Sequence, residues 1–139
     1  TVGISFARNR LLQRCNPRFE QMFGYGEGEL IGKPSAPLFG SGEEYEAAVG
    51  EMYAALAAGR TYVVERRLRR KDGTECWCKV VAKAIDPARP EEGAIAIYED
   101  ITAERAVRES LVASRDAAEA SREAAPRVKW SRKRSRAAS

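Results

Sequence analysis

The sequence has no histidine among its 139 residues, and this absence excludes several kinds of chemistry. A chain without histidine cannot form a Ser-His or Cys-His catalytic pair, bind haem through a proximal histidine, accept a phosphoryl group on histidine or build an ordinary zinc site. Carboxylate pairs remain, but Glu43-Glu44 and Glu91-Glu92 lie in polar, loop-like or helix-start stretches rather than in apolar surroundings that tune catalytic carboxylates. We therefore expect no catalytic residue and no metal site.

Cysteine is scarce, and long apolar runs are missing. Cys15, Cys76 and Cys78 form an odd set, and Cys76 and Cys78 lie two residues apart in a predicted strand, where no unstrained disulfide can join them. This usage indicates a reducing compartment, so we expect a cytoplasmic protein. No stretch reaches the roughly 18 consecutive apolar residues of a membrane span, and no charged-then-apolar leader precedes the first strand. We expect this segment to be soluble and to make no membrane contact.

The length of 139 residues allows one domain with an appendage and excludes a second catalytic domain. The sequence begins with Thr1 rather than methionine, and its first residues already have the pattern of a strand. We therefore expect the chain to be a segment of a longer protein.

The formal net charge of +4 is concentrated at one end of the chain. Residues 126–139 carry six basic residues and no acidic one, which leaves the rest of the sequence nearly neutral. A nucleic-acid-binding domain would carry its basic residues on one face of the fold. Here they lie in a segment poor in apolar residues, which predicts a disordered basic tail over 126–139. A nucleic-acid-associated regulator, in which this basic tail binds phosphates non-specifically, remains as an alternative function.

Apolar periodicity and turn residues predict a mixed order of strands and helices. Asn16-Pro17 is a typical N-cap followed by proline at the first helical position. Asp72-Gly73 is typical of a hairpin turn. The predicted elements are strands over 3–7 and 10–15, a helix with Phe19, Met22 and Phe23 on one face, very short helices around 27–31 and 36–39, a main helix over 43–58, strands over 61–69, 75–85 and 94–99, and a helix over 102–125.

This order of elements predicts an α+β fold with a five-stranded antiparallel sheet and the helices on one face. Within the strand over 75–85, alternation assigns Cys76, Cys78 and Val80 to the core face, whereas Trp77 and Val81 lie on the opposite face. We expect the cysteines to be small buried residues rather than ligands or redox sensors.

Four motifs over about residues 3–105 resemble the PAS domain in its bacterial sensor form. They are "CNPRFEQMFGY", "ELIGKP", "ERRLRRKDGT" followed by "CWC", and "EDITAER". The resemblance implies the strand order 2-1-5-4-3, a PAS sensory domain over 1–102 and a signalling or linker helix over 103–125. It also implies a cavity between sheet and helices that holds a ligand in some members, and an Asp-Ile-Thr junction between core and output helix, here Asp100-Ile101-Thr102.

The junction has two interpretations. Asp100 or Thr102 can accept hydrogen bonds from the free N–H groups at the helix start, and Ile101 can pack on the core, so the residues can serve as a simple helix cap or as a rigid connection that passes on a conformational change. The resemblance favours the second interpretation. It implies a sensory module of a signal-transduction protein with a covalently linked output domain, for which a histidine kinase of a two-component system is favoured over a cyclic-dinucleotide enzyme.

The cofactor is not identified by the sequence. The flavin-adduct branch of the family, the LOV domains, has an Asn-Cys-Arg-Phe-Leu-Gln motif where this chain has "PSAPLFGSG", and histidine-ligated haem is excluded by composition. A small apolar or mildly polar ligand, or no ligand, remains. The pocket candidates are Met22, Phe39, Val49, Met52, Tyr53, Cys78 and Val80.

Two surfaces are candidates for contact with a partner. Trp77 and Val81 lie on the outer sheet face, through which PAS domains commonly form homodimers; the alternative for Trp77 is a lone surface aromatic lying over lysine side chains. Val107 and Leu111 are the first seam positions of a heptad pattern in the last helix. The later seam positions hold only small residues. That pattern fits a weak coiled coil or a solvated helix.

Overall fold

The computed structural model describes residues 2–138, with side chains for residues 2–121. The chain divides into two compact units, residues 1–102 and residues 103–139. The predicted disordered tail over 126–139 lies outside the residues whose side chains are described, and it stays a prediction. The elements are β1 (Gly3–Arg8), β2 (Leu11–Cys15), α1 (Pro17–Phe23), a 3₁₀ turn (Ala36–Leu38), α2 (Gly42–Ala57), β3 (Tyr62–Arg69), β4 (Glu75–Ala84), a second 3₁₀ turn (Pro90–Glu92), β5 (Ala94–Asp100) and α3 (Thr102–Ala138).

The first unit is an α+β domain built on a five-stranded antiparallel sheet with the order β2-β1-β5-β4-β3. The fold class and the strand order that the resemblance implied are both confirmed. The hairpin between β1 and β2 turns through Asn9 and Arg10, which have φ angles of 52° and 65°. A two-residue hairpin of this kind needs both central residues in the region of positive φ.

Helix α1 is fixed to the sheet at its start by the predicted cap. The side-chain oxygen of Asn16 accepts from the backbone N–H of Phe19 at 2.9 Å, and it also accepts from that of Ile4 in β1 at 2.9 Å. A Cβ atom on Gly3 would lie 3.0 Å from the Cα of Phe19, so glycine is required for this close approach of strand and helix. At its other end, α1 stops at Gly24, which has a φ of 79°.

The predicted short helix around 27–31 is not formed. Those residues form a series of turns, with Gly28 and Gly32 at φ angles of 72° and 82°. These left-handed positions interrupt the helical backbone on both sides of Leu30, which still reaches the core. The predicted short helix near 36–39 is present as the 3₁₀ turn over Ala36–Leu38.

The core lies between one face of the sheet and the two helices: α1 packs on β1, and α2 packs on β3 and β4. Phe19, Phe23 and Tyr98 meet edge to face, with ring centroids 4.9 to 5.8 Å apart. Burial alternates along β4 as predicted, so Cys76, Cys78, Val80, Ala82 and Ala84 face the core. In the described part of the chain, no helix is both long and apolar enough to cross a membrane.

Candidate functional site

A cavity of about 80 Å³ lies between the sheet and helix α2. Every strand and α2 contribute residues to its wall. The apolar lining residues include Leu12, Leu38, Phe39, Ala48, Val49, Met52, Val80, Ala94 and Ala96. The polar and aromatic-hydroxyl groups are Ser5, Arg10, Ser35, Tyr45, Tyr53, Tyr62, Arg66 and Tyr98.

Arg66 gives the cavity a positive group. Its guanidinium donates to the hydroxyl of Tyr62 at 2.8 Å and lies 5.8 Å from the ring centroid of Phe39. Arg66 occupies a core-facing position of β3, because side chains two residues apart share a face and Tyr62, Val64 and Leu68 also turn inward. A half-buried guanidinium beside a cavity can orient the acceptor end of a bound molecule.

Tyr98 closes the floor of the cavity on β5. Burial raises the pKa of Tyr98 to about 12, although a hydrogen bond with Ser5 acts in the opposite direction. The phenol therefore stays protonated and available as a donor at any physiological pH. Ser5 is itself buried, at 3 % exposure. Ser5 and Tyr98 therefore present uncharged hydroxyl groups to the cavity from β1 and β5.

Arg10 lies at the edge of the cavity, near α2. Its guanidinium is 5.6 Å from the ring centroid of Tyr53 and 3.4 Å from a carboxylate oxygen of Glu46. Because both members of that ion pair are substantially exposed, the pair contributes little stability. Arg10 instead places a charged, partly exposed side chain beside the cavity wall.

Five of the seven pocket candidates line this cavity: Phe39, Val49, Met52, Tyr53 and Val80. Met22 and Cys78 do not. They contact each other, with their sulfur atoms 3.9 Å apart, under α1 rather than under α2. No bound ligand tests the pocket assignment, so the ligand-binding role of the five stays a prediction.

Sequence reasoning missed the polar part of the wall. Ser5, Arg66 and Tyr98 each occupy a core-facing position of a strand. The signal was present in the alternation of β3, where an arginine falls among apolar residues of the buried face. A charged residue on such a face needs either a buried partner or a cavity.

The two core cysteines form a compact sulfur cluster with Met22. The Sγ atoms of Cys76 and Cys78 are 3.7 Å apart, and both side chains are buried. The hydrogen bond with Cys76, together with burial, raises the pKa of Cys78, while that same bond lowers the pKa of Cys76. Cys15 stands apart; burial, with the carboxylate of Glu20, raises its pKa to about 11.

The predicted junction residues are held by a short hydrogen-bond network. A carboxylate oxygen of Asp100 accepts from the backbone N–H of Thr102 at 3.0 Å and from its hydroxyl at 2.6 Å. The Thr102 oxygen accepts in turn from the backbone N–H of Trp77 at 3.0 Å, and the N–H of Ile101 donates to the Trp77 carbonyl at 2.8 Å. Ile101 is buried at 3 % exposure.

This network differs from a simple helix cap. Asp100 does accept from the first N–H of α3, but the Thr102 oxygen accepts from a strand residue instead of from its own helix. Ile101, which directly follows β5, and Thr102, the first residue of α3, are therefore both bonded to Trp77 of β4. Sequence reasoning did not predict this partner, because it depends on the register between β4 and β5.

Arg70, at the β3–β4 hairpin, connects the junction with α1. One guanidinium nitrogen lies 3.7 Å from a carboxylate oxygen of Asp100, and its Nε donates to the backbone carbonyl of Met22 at 3.3 Å. Burial acts to raise the pKa of Asp100, but the hydrogen bonds from Thr102 and the charge of Arg70 outweigh it, so the pKa is lowered. Asp100 is thus ionised in the folded protein at neutral pH.

The outer face of the sheet carries an apolar row, which we define as Ile4, Ile97, Val81 and Val63. These residues are cross-strand partners on β1, β5, β4 and β3. Ile4, Ile97 and Val63 are exposed at 40 %, 38 % and 56 %. The apolar row is therefore a continuous strip that crosses four strands on the side away from the core.

The remaining interface candidates have mixed surroundings. Val81 belongs to the apolar row, whereas Trp77 lies nearer the start of β4 and is half-buried. The guanidinium of Arg67 lies 5.9 Å from the ring centroid of Trp77. In the second unit, Val107 and Leu111 are exposed on α3. No partner chain tests these four positions, so their interface role stays a prediction.

Among the described residues, no cluster of three or more Cys, Asp or Glu side chains could hold a metal ion.

The match with the PAS domain family model extends over residues 1–103. The chain belongs to the PAS family. Sensor protein TdiS of Thauera aromatica is similar to this PAS domain, with 36 % identity over 114 residues, which is 81 % of the chain and 21 % of the relative. The chain thus spans about a fifth of the length of this curated relative.

Solved structures of other proteins have the same fold. The PAS domain of a LuxR-family transcriptional regulator from Burkholderia thailandensis, in complex with ethanol, matches with a TM-score of 0.67 and 26 % identity, over 72 % of this chain and 88 % of that one. A sensory box histidine kinase/response regulator from the same species matches with a TM-score of 0.65 and 20 % identity, over 83 % and 88 %. At that lower identity the likeness concerns the fold alone.

Proposed function

We propose that this PAS domain is the sensory module of a larger bacterial signal-transduction protein, in which binding of a small molecule or partner biases the junction Asp100-Ile101-Thr102. The junction then passes this bias to a C-terminal helix and an output domain. The observation that carries the proposal is a pair of hydrogen bonds: the backbone N–H of Trp77 donates to the Thr102 hydroxyl oxygen, and the N–H of Ile101 donates to the Trp77 carbonyl. Through them, β4 holds the residue at which α3 begins.

The cavity and the junction share the same two strands. Val80 and Tyr98 line the cavity from β4 and β5 and are cross-strand partners, and two residues further along their strands Cys78 and Asp100 are partners as well. A ligand that moves β4 relative to β5 therefore changes the geometry at Asp100. Such a shift has an effect only if the ligand contacts differ between two states of the domain.

We expect the ligand to be a small, mainly apolar molecule with one hydrogen-bonding end. The volume of about 80 Å³ is roughly half that of the 150 Å³ engineered cavity that binds benzene, so only a few heavy atoms fit without movement of the wall. Arg66 and Tyr98 can bond to a hydroxyl or carbonyl oxygen. The similar Burkholderia domain in complex with ethanol supports a ligand of this size.

The PAS domain itself is a non-catalytic module, and its parent protein carries the activity. TdiS is a sensor protein, which supports a sensory role for the parent protein, and a histidine kinase is the output domain that we propose for it. The unpaired thiols of Cys15, Cys76 and Cys78 support a reducing, cytoplasmic location.

We propose a homodimer formed through the apolar row on the outer sheet face. Isolated apolar side chains on a surface are ordinary, but a contiguous strip across four strands is typical of an interaction site. Separately, we propose that Val107 and Leu111 contact the same residues of a second copy through paired α3 helices in the parent protein.

A single substitution in the parent protein tests the proposed function. Thr102→Val keeps the size and shape of the side chain but removes the oxygen that accepts from Trp77. We expect the output to lose most of its response to the stimulus while the PAS domain stays folded. Thr61→Val, an exposed threonine away from the junction, is the matched control and should respond as the wild type. A full response in Thr102→Val would contradict the role of the junction.

A further inference from the structure

The sulfur cluster under α1 has a composition that packing alone does not require. Cys76 and Cys78 project from the same face of β4, and Met22 reaches them from α1, so three sulfur atoms meet in one buried place. Further along the same face of β4, Ala82 and Ala84 fill equivalent positions with plain methyl groups. The cavity and the junction of the proposed function use none of the three sulfur atoms.

Two distances suit a metal ion shared by Cys78 and its sulfur neighbours. A metal–thiolate bond is about 2.3 Å long, so two thiolates on one ion can be up to roughly 4.6 Å apart. Sγ of Cys76 and Sγ of Cys78 are 3.7 Å apart, and Sγ of Cys78 and Sδ of Met22 are 3.9 Å apart. An ion beside Cys78 can therefore also bond to either neighbour, and we expect the flexible side chain of Met22 to adjust so that the ion binds all three sulfur atoms.

The ligand set selects a soft ion. Two thiolates and a thioether are the donors that Cu(I) prefers, whereas structural zinc takes four nitrogen, oxygen or thiolate ligands in a tetrahedron. The chain has no histidine to complete a zinc site. A disulfide is disfavoured as well, because residues two apart on a strand have Cα atoms about 6.6 Å apart, near the upper limit for that bond.

The sequence led us to expect no metal site and cysteines that only fill the core. From the sulfur positions we propose instead that Cys76, Cys78 and Met22 form a binding site for one Cu(I) ion. The two thiols lose their protons to solvent as the ion binds, and no electron is transferred. The site then carries one net negative charge. Arg70, whose guanidinium reaches the Met22 carbonyl and also pairs with Asp100, is a cation beside the site.

The location gives the site a consequence for the rest of the domain. Cys76 and Cys78 flank Trp77, whose backbone N–H and carbonyl make both hydrogen bonds to the junction. An ion held by the two thiols would fix the backbone on either side of those bonds. The metal site does not depend on the proposed small-molecule ligand, because the cavity lies under α2 and contains none of the three sulfur atoms.

The test uses the reduced 139-residue chain under argon, with Cu(I) supplied as its coloured complex with bicinchoninate. Loss of colour reports transfer of the metal to the protein. We expect the wild type to take up one equivalent. Cys76→Ala/Cys78→Ala should lose uptake, and Met22→Leu, which keeps the apolar volume, should bind at least about tenfold more weakly, since even outer-shell changes at metal sites cost 10–100-fold. Cys15→Ala is the matched control and should bind as the wild type.

Circular dichroism establishes that each variant is folded, and X-ray absorption of the bound copper should show three sulfur neighbours. Wild-type affinity in the double alanine variant would overturn the proposal, as would equal binding by the wild type unfolded in urea. If the double variant does not fold, Met22→Leu decides: a folded Met22→Leu domain with unchanged affinity would rule out the three-sulfur site. Weaker binding in that variant, with Cys15→Ala unchanged, would support it.

Discussion

The hydroxyl oxygen of Thr102 accepts a hydrogen bond at 3.0 Å from the backbone N–H of Trp77, so the first residue of α3 is bonded to a strand other than the one it follows. A threonine that only capped its helix would accept from an N–H two or three residues later. The carboxylate of Asp100 makes the bond to the helix start, which leaves Thr102 for β4.

The junction bond predicts a local effect that can be measured without the output domain. In Thr102→Val the Trp77 N–H loses its acceptor, so its hydrogen exchange should become faster, while the free energy of unfolding falls by only about 1 kcal/mol. Hydrogen exchange followed by NMR, together with urea unfolding, checks both. Thr61→Val should change neither. An unaltered exchange rate at Trp77 would mean that this bond is not formed in solution.

Asp100 predicts a stability difference at low pH. Its pKa in the folded protein is lowered, so the unfolded chain binds the proton first as the pH falls. The stabilisation by Asp100 is therefore complete above the unfolded pKa of about 3.9 and is lost as the pH falls through the lower folded value. In Asp100→Asn the free energy of unfolding should depend less on pH below about pH 4. Urea unfolding from pH 6 to pH 3 measures this, and identical slopes in the two proteins would contradict the ionised network.

The cavity makes opposite predictions for two neighbouring alanines. Ala96 lines the cavity, while its cross-strand partner Ala82 faces close-packed core at 0 % exposure. Ala96→Val should fill empty space with a residue that strands favour and leave stability equal or higher by up to about 1 kcal/mol. Ala82→Val should overpack and cost about 1–3 kcal/mol. Chemical unfolding of the two variants is the measurement, and an equal loss in both would show that the cavity is closed in solution.

The apolar row predicts the oligomeric state. Val81→Glu places a charge in the middle of the strip, so light scattering should show the mass of a monomer where the wild type has the mass of a dimer. Ile85→Glu is the matched control, because Ile85 is 63 % exposed and lies beyond the end of β4. It should leave the mass of the dimer unchanged. If both variants and the wild type have the same mass, the outer face of the sheet is not an interface between copies.

The sequence alone was sufficient for the faces of the elements but not for the relations between them. Alternation along β4 correctly assigned Cys76 and Val80 to the core, because the side-chain period of a strand is two wherever the strand lies. The same pattern could not tell that α2 covers Val80 while α1 covers Cys78, since the packing of helices on a sheet depends on contacts distant in sequence. That is why Cys78 was grouped with the wrong neighbours.

The polar parts of the site show the same limit. Asp100-Ile101-Thr102 was found by its motif, but its partner Trp77 lies 25 positions from Thr102 and is reached only through the register of β4 against β5. Arg66 fell on a core-facing position and could have been noticed. Its actual contacts with Tyr62 and Phe39 could not, because they depend on how the end of the Gly- and Pro-rich segment before α2 lies across the sheet.

Tyr98 gives the last prediction, at high pH. Burial raises its pKa to about 12 from an ordinary value of 10, so between these values the unfolded chain loses the phenolic proton and the folded domain keeps it. A state that binds fewer protons is favoured as the pH rises, and here that state is the unfolded one. The contribution of Tyr98 to the free energy of unfolding is therefore complete below pH 10. Above pH 10 it falls by about 1.4 kcal/mol per pH unit. Tyr98→Phe removes this group, and its free energy of unfolding should decline less steeply than that of the wild type. Urea unfolding at pH 9 and pH 11 measures the difference, with the remaining decline of the variant reporting the other tyrosines, since burial also raises the pKa of Tyr53. Equal declines in the two proteins would mean that the Tyr98 hydroxyl reaches water in the folded domain, and the floor of the cavity would then be open rather than closed.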